Sequence, residues 1–364
     1  MKILIPILGF GRAGGSRVLA ELANHWTRDG HEVNFLVNEA SSLPYFPTNA
    51  GIRWVTNSGK LISDAERVER SPRMFNGWIN LISLYKAIFK IGKDYDVILA
   101  NHSLTAWPVA LANSGGAKKF YYIQAYEPEY SALKKGLKSR VIEWLSTRSY
   151  GFDLVQICNA PIYIGYKNIR AKEWVPPGIN FDLFYSKNVH KDLVTAQEIV
   201  LGCIGRTEPA KGIKYVLDAF KALYVQDQRF QLHVAFGNLP ADWSHPGLRV
   251  VIPKNDKELA DYYRTLDIML APGIVQHGAP HYPVMEAMAC GVPVVTTGYL
   301  PADEKNSWIV EIGSSSSIVV AVNDIISGSE YRDKVMKASK DIAGFGWEPA
   351  ANKMLRLLAD KTLL

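Results

Sequence analysis

Apolar and polar positions change period several times along the first part of the chain. KILIPIL, residues 2–8, is a continuous apolar run, the pattern of a strand buried on both faces. GGSRVLAELANHWTRDG follows at helical spacing: Val18, Leu19, Leu22, Ala23 and Trp26 fall on one face, and Gly30 stops the helix. HEVNFLV predicts a second strand. DVILAN, KFYYIQ and LVQICN predict three more, and SLTAWPVALANSGG predicts a helix between the first two of these. Strands alternating with helices imply an open parallel α/β sheet.

Around EWVPPGINFDLFY the texture changes. Pro176, Pro177 and Gly178 break regular structure, and the polar stretch SKNVHKDLVTAQE follows. A second α/β series then begins. It comprises IVLGCIGR, a helix from about Ile213 to Leu223, FQLHVAF, LRVVIP, the helix DKELADYYRTL, DIMLAP, the helix VMEAMAC, and VPVVTT. The chain therefore reads as two α/β halves joined by a hinge near residues 176–195. Open α/β sheets bind ligands at the carboxyl ends of their strands, so the expected site is a cleft between the halves.

The length of 364 residues suits two domains. Hydrophobic residues at 48% and charged residues at 21% describe a soluble globular protein. A net charge of +6 fits an anionic substrate, a membrane surface or nucleic acid without choosing among them, and no nucleic-acid module is recognisable. Cys158, Cys203 and Cys290 are far apart, which speaks against a zinc site or disulfide framework and for a reducing, cytoplasmic setting. The opening segment lacks a small-residue cleavage site and reads as a first strand. No apolar run is long enough to predict a transmembrane helix.

Four stretches carry chemistry. Gly9-Phe10-Gly11-Arg12-Ala13-Gly14 reads G-x-G-x-x-G after a strand, the fingerprint of a dinucleotide-binding turn. Its strongest phosphate candidates are Gly14 and Gly15 at the start of the helix. A dinucleotide fold also wants an acidic residue at the end of the second strand, a role that Asn38 or Glu39 fills imperfectly; the alternative is a tight turn that binds nothing. In LGCIGRTEPAKGIKYVLDAF, Arg206 sits just past a strand end and Lys211 five residues later, before a helix. Two cations at a strand's carboxyl end suit a diphosphate, which needs charge neutralisation as it departs; the plainer alternative is two exposed loop cations. In APGIVQHGAPHYPVMEAMACGVPVVTT, His277 and His281 lie on a loop and Glu286 on a short apolar helix, where a carboxylate is costly unless partnered by a ribose or by a structural neighbour. His102 follows the strand DVILAN. The three histidines are too dispersed in sequence, and too short of clustered carboxylates, to read as a metal site. Asp94 and Asp96 of DYD precede a strand and read as a solvated helix end. YIQAYEPEYSALKKGLKSRVIEWLSTRSY joins Glu127 and Glu129 to a basic helix with Lys134, Lys135, Lys138 and Arg140 beside Leu133, Leu137, Val141, Ile142 and Trp144. Such a helix fits an anionic membrane surface or, more simply, a solvated basic face.

In this order and spacing these segments resemble the retaining glycosyltransferases of family 4, over most of the chain. GGSRVLAELANHWTRDGHEV is similar to the family's first loop and helix, and VPPGINFDLF to its interdomain segment. IGRTEPAKGIKYVLDAF, LADYYRTLDIMLAPG and VMEAMACGVPVVTT are similar to successive second-domain motifs, and GFGWEPAANKMLRLL to a terminal helix that returns to the first domain. The resemblance implies the GT-B fold: two Rossmann-like, doubly wound parallel-sheet domains facing an interdomain cleft. The domains would span residues 1–180 and 181–345, with the returning helix at 346–364. It implies that Arg206 and Lys211 hold a donor diphosphate, that Glu286 binds the nucleotide's ribose, that Gly15 approaches the phosphates or the acceptor side, and that His102 stands near the transferred sugar. It also implies no metal and no other cofactor, because side chains and helix dipoles neutralise the leaving group.

One departure matters. The family places a glutamate eight positions before Glu286, toward the donor sugar, and this chain has Gly278 there. His277, His281, Gly278, Gly14 and Glu127 are the candidates for contacts to the donor sugar or acceptor. YYIQAYEPEY also resembles bacterial rhamnosyltransferases of the family that build surface polysaccharides. The expected activity is transfer of a sugar, with retention, from a nucleotide donor to a glycan or lipid-linked acceptor. No side-chain nucleophile is evident. A nicotinamide or flavin oxidoreductase would use the opening glycine turn and leave Arg206, Lys211 and Glu286 idle. A silent GT-B protein that binds a glycan or a partner enzyme would explain the missing glutamate.

Overall fold

The computed structural model describes residues 1–67, 77–187, 191–360 and 362. Asn188, Val189 and His190 of the expected polar linker, and Lys361, Leu363 and Leu364 of the expected terminal segment, lie outside the described residues. The chain divides into two compact units, residues 1–178 with 347–364, and residues 179–346.

The first unit contains β1 (Lys2–Pro6), α1 (Gly14–Arg28), β2 (Glu32–Asn38), β3 (Gly51–Val55), β4 (Leu61–Ile62), α2 (Gly77–Ile91), β5 (Val97–Ala100), α3 (Ser103–Leu111), β6 (Lys118–Ile123), α4 (Glu127–Ala132), α5 (Leu137–Ser149), β7 (Val155–Cys158) and β8 (Glu173–Trp174). Its eight-stranded sheet runs β4-β3-β2-β1-β5-β6-β7-β8. The pairs from β3 to β8 are parallel, and β3 with β4 is antiparallel. Ile3, Leu4 and Ile5 of β1 are buried, as a central strand covered on both faces requires. The five apolar positions of α1 all face the core, and Gly30 ends the helix in the left-handed conformation. By contrast, α2 has no polar stripe to reveal it: Leu84, Ala87 and Ile88 are buried while Ile82, Tyr85 and Phe89 on the opposite side are exposed. The basic segment is two helices rather than one. It breaks at Gly136, where φ is 115°.

The second unit contains β9 (Ile199–Ile204), α6 (Ile213–Gln226), β10 (Phe230–Ala235), β11 (Leu248–Val251), α7 (Asp256–Arg264), β12 (Ile268–Ala271), α8 (Tyr282–Ala289), β13 (Val294–Thr296), β14 (Trp308–Ile309), α9 (Ser315–Ser327) and α10 (Tyr331–Ile342). Its six-stranded sheet is parallel throughout, in the order β11-β10-β9-β12-β13-β14. Two apolar clusters cover its faces. One joins α7, α8 and α10 around Met269, Met285 and Tyr263, and the other joins α6 and α9 around Leu201, Phe220 and Leu232. Strand order reverses beside β9, between β10 and β12, which makes the end of β9 a topological switch point.

The last helix, α11 (Trp347–Ala359), belongs to the first unit. Fully buried Trp26 of α1 donates its indole N–H to the Ala351 carbonyl of α11 at 3.1 Å. Trp347 of α11 also backs onto Gly178, where a Cβ would stand 2.6 Å from its backbone.

Candidate functional site

In the second unit Arg206, Lys211 and His281 gather at the carboxyl end of β9. Two glycines hold the loop that follows. A Cβ at Gly205 would lie 1.6 Å from the Gly237 carbonyl oxygen, and one at Gly212 would lie 1.9 Å from that of Pro272. Gly212 also adopts φ 71°, a conformation that side chains disfavour. The Ile274 N–H donates to the Ala210 carbonyl at 3.0 Å, tying this loop to the one after β12. Arg206 and Lys211 are therefore carried on backbone pinned from both sides.

Their electrostatics are unbalanced. Glu208 approaches Arg206 only to 4.0 Å, and both side chains are about half exposed. Burial, followed by the charge of Arg206, pushes the Lys211 ammonium below its usual range. Two like charges, one of them largely desolvated, form a site that an anion stabilises. His281 completes it at the N-terminal cap of α8, where the helix dipole favours negative charge. The residue is half-buried overall, while its Nδ1 is enclosed and has no hydrogen-bond partner among the described residues. Burial, then Lys211 and Arg206, hold its pKa well below the ordinary 6.5, so the ring is neutral near neutral pH. Tyr299 packs between the two histidine rings, 4.7 Å from His281 and 5.6 Å from His277, and His277 Nε2 lies 3.2 Å from the Gly273 carbonyl.

Gly278 is more than a missing carboxylate. Its φ of 87° is left-handed, and its N–H donates to the Gly298 carbonyl at 2.7 Å. A glutamate here would be strained by the backbone itself. Glu286 is 2% exposed, and its Oε2 accepts a hydrogen bond from the Tyr263 hydroxyl at 2.8 Å. Burial and the Glu286 carboxylate push the Tyr263 phenol up, so it stays protonated and donates. This bond spans α7 and α8, and it orients the carboxylate as well as offsetting its desolvation.

In the first unit His102 caps α3. Its Nδ1 accepts from the Leu104 N–H at 3.0 Å while Thr105 Oγ1 accepts from the His102 N–H at 3.1 Å. With Nδ1 accepting, the neutral ring carries its proton on Nε2, which lies 4.0 Å from Glu127 Oε1. Glu127 is itself fixed: Oε1 accepts from the Ser103 N–H at 3.1 Å, and Oε2 from the Tyr150 hydroxyl. Burial and the Glu127 carboxylate push the Tyr150 phenol up, so it remains a donor. The structure thus joins His102 and Glu127, which are remote in sequence.

The opening glycine turn precedes α1, which starts at Gly14. Phe10 N–H donates to Ser41 Oγ at 2.9 Å, so the loop is tied to the segment after β2. A Cβ at Gly15 would come within 3.2 Å of Gln124 Oε1, so this glycine preserves a close approach to the end of β6. The dinucleotide expectation has no ribose ligand in Asn38, whose side chain is spent on Asn57, Ser83 and the Ala40 N–H. Sequence reasoning missed Tyr263, Tyr150 and Tyr299. Their only sequence signal is an aromatic residue near a predicted core, which does not distinguish a positioning hydroxyl from packing. Among the described residues, no three of His, Cys, Asp and Glu converge as a metal site would require, and no helix is long and apolar enough to cross a membrane.

Two predictions follow from this geometry. Acidification through pH 6.5 should destabilise the wild type, because the unfolded chain takes up a proton that folded His281 refuses. His281→Asn should lose less stability between about pH 7.5 and 5.5 by urea denaturation; equal losses would contradict the buried neutral ring. Gly278→Glu should lower stability by about 1–2 kcal/mol, and a variant as stable as wild type would contradict the left-handed backbone at this position.

Comparison with known proteins identifies the domains and the fold. Residues 12–172 match the model of Glycosyltransferase Family 4, and residues 198–328 match that of Glycosyl transferases group 1. A D-inositol 3-phosphate glycosyltransferase of Streptosporangium roseum is 23% identical over 403 residues, covering 96% of this chain and 89% of that protein. A probable sucrose-phosphate synthase of Thermosipho melanesiensis is 23% identical over 224 residues; the match covers 55% of this chain and 50% of that longer relative. The structure of Anabaena HepE in complex with UDP and glucose superposes with a TM-score of 0.70 at 17% identity, covering 99% of each chain. The fold is GT-B, the oxidoreductase alternative finds no support, and the two family matches together span most of both units. The chain belongs to the family 4-type glycosyltransferases.

Proposed function

We propose that this glycosyltransferase moves a sugar, with retention of anomeric configuration, from a nucleoside diphosphate donor to a glycan or lipid-linked saccharide. The reading places it in the cytoplasm, in the synthesis of a bacterial cell-surface polysaccharide or glycoconjugate. The observation that carries it is the cation pair Arg206 and Lys211, faced by Glu208 alone, on glycine-pinned backbone, with the orphaned His281 Nδ1 beside it. Neighbours with this fold support a nucleotide-sugar donor, since HepE was crystallised with UDP and glucose.

In the proposed reaction the bond between the anomeric carbon and the diphosphate oxygen breaks. The electron pair leaves with the diphosphate, and Arg206 and Lys211 offset the charge that develops there. An acceptor hydroxyl attacks from the same face, and its proton passes to the departing phosphate oxygen. Glu286, oriented by Tyr263, is assigned the nucleotide's ribose hydroxyls. Gly15 keeps the α1 N-terminus clear for phosphate or acceptor. His102, with Glu127 behind it, is the first unit's polar group for a sugar hydroxyl, and His277 takes a sugar contact that the family's glutamate would have made. The reading assigns neutralisation of the leaving group to Arg206 and Lys211 rather than to a metal.

Arg206→Ala should reduce turnover by about 100-fold or more while leaving Tm within a few degrees of wild type, since the side chain is exposed. Release of nucleoside diphosphate from a panel of nucleotide sugars checks this; wild-type turnover in that variant would overturn the assigned role.

A further inference from the structure

The first unit has a cavity at the end of its sheet opposite Gly15 and His102. Those two residues follow β1 and β5, at the carboxyl ends of the strands. At the amino ends, Lys2 begins β1, Glu32 begins β2, and Asp94-Tyr95-Asp96 leads into β5. Between these residues, Arg53 of β3, the short strand β4 and the last residue of α2, the structure leaves a cavity of about 470 Å³, the size of a small-molecule site. Half-buried Leu61 and Ile62 of β4 and Ile91 of α2 supply its apolar wall. None of the residues assigned to sugar transfer lines it.

The acidic stretch before β5, which reads in sequence as a solvated helix end, divides its groups between two tasks. Asp96 accepts from the Lys2 N–H at 2.7 Å and fastens the strand ends together. Asp94 and Tyr95 line the cavity. Tyr95 is buried, and its hydroxyl oxygen accepts from the Arg53 guanidinium. Burial pushes the phenol up, so it keeps its proton and stands beside Arg53 as a further donor. Most of the other charges in the wall are engaged. Lys2 Nζ pairs with Glu32 at 3.2 Å. Glu66 Oε2 accepts from the Ser63 N–H at 2.9 Å and from its hydroxyl at 3.0 Å, and Oε1 lies 4.0 Å from Lys60. Arg53 and Asp94 remain. Among the described residues, Arg53 has no carboxylate and Asp94 no cation within ion-pair distance. A simple anion would suit Arg53 but would face the carboxylates of Glu32, Glu66 and Asp94, and a simple cation would leave Arg53 unmatched. A molecule carrying both charges satisfies both groups.

We propose that this cavity binds a free amino acid with an aliphatic side chain. The ligand's carboxylate meets the Arg53 guanidinium and the Tyr95 hydroxyl, its ammonium meets Asp94, and its side chain lies against Leu61, Ile62 and Ile91. A guanidinium takes a carboxylate in a two-point fork, which fixes the ligand's orientation, and the apolar wall favours an aliphatic side chain over a polar one. The proposal goes beyond the transfer reaction and does not depend on it.

The test is equilibrium dialysis of the full chain, without nucleotide or acceptor, against radiolabelled leucine, isoleucine, valine and methionine at up to about 5 mM. At least one of them should bind saturably. For leucine's group, two competitors isolate the charges: 4-methylpentanoate lacks the ammonium and 3-methylbutylamine lacks the carboxylate. Each should compete about 10-fold or more weakly than the amino acid, as the loss of a charge-assisted contact requires. Arg53→Gln and Asp94→Asn should each weaken binding by a similar factor while keeping the wild-type circular dichroism spectrum, since both side chains are exposed. Failure of all four amino acids to bind would overturn the proposal. So would competition by 4-methylpentanoate as strong as by leucine, because the site would then take a plain anion. Binding unchanged in both variants would place the amino acid elsewhere and overturn it equally. The competitor experiment uses the wild-type chain alone, so it decides the matter even where a variant fails to fold.

Discussion

Lys211 beside Arg206 is the interaction on which the second unit's chemistry depends. Like charges do not approach one another, or leave water, without a compensating cause. The cause here is steric. Gly205 and Gly212 admit carbonyl oxygens where any side chain would clash, and the loop after β9 is thereby locked against the loops after β10 and β12. The tightness of that packing fixes the cations in advance, so an anion arrives at a site already organised. His281 responds to the same field. Its ring stays neutral because it is buried and because the charges around it are positive, and a bound diphosphate would offset the second of these causes.

The positioning groups follow a second shared logic. Each fixes the orientation of a carboxylate by means of a buried tyrosine from another element: Tyr263 of α7 for Glu286 in the second unit, Tyr150 just past α5 for Glu127 in the first. Because neither phenol can ionise at ordinary pH, each remains a donor. A carboxylate held this way presents its remaining lone pairs in a fixed direction, which suits recognition of sugar or ribose hydroxyls.

The sequence exposes features whose physics is local. The stripe of Val18, Leu19, Leu22, Ala23 and Trp26 announces α1, and the apolar runs of β1, β9 and β12 announce covered parallel strands. It hides α2, because a helix that is apolar on its exposed side as well as its buried side has no periodic contrast. It hides the break at Gly136, since LKKGLKSR keeps a helical composition across it. Arg206, Lys211 and Glu286 stand out as costly or clustered charges, and the structure gathers the first two with His281. The left-handed backbone of Gly278 and the tyrosine partners are tertiary facts: residues 263 and 286 meet only because α7 and α8 pack.

The most direct measurement is a thermal-shift panel with UDP, GDP, dTDP, ADP and NADH at matched concentrations. A ligand that binds only the native chain must raise its Tm. Stabilisation by one nucleoside diphosphate, absent in Arg206→Ala and absent with NADH, is the expected result. Stabilisation by NADH alone would contradict the assignment of the second unit's cations to a donor diphosphate.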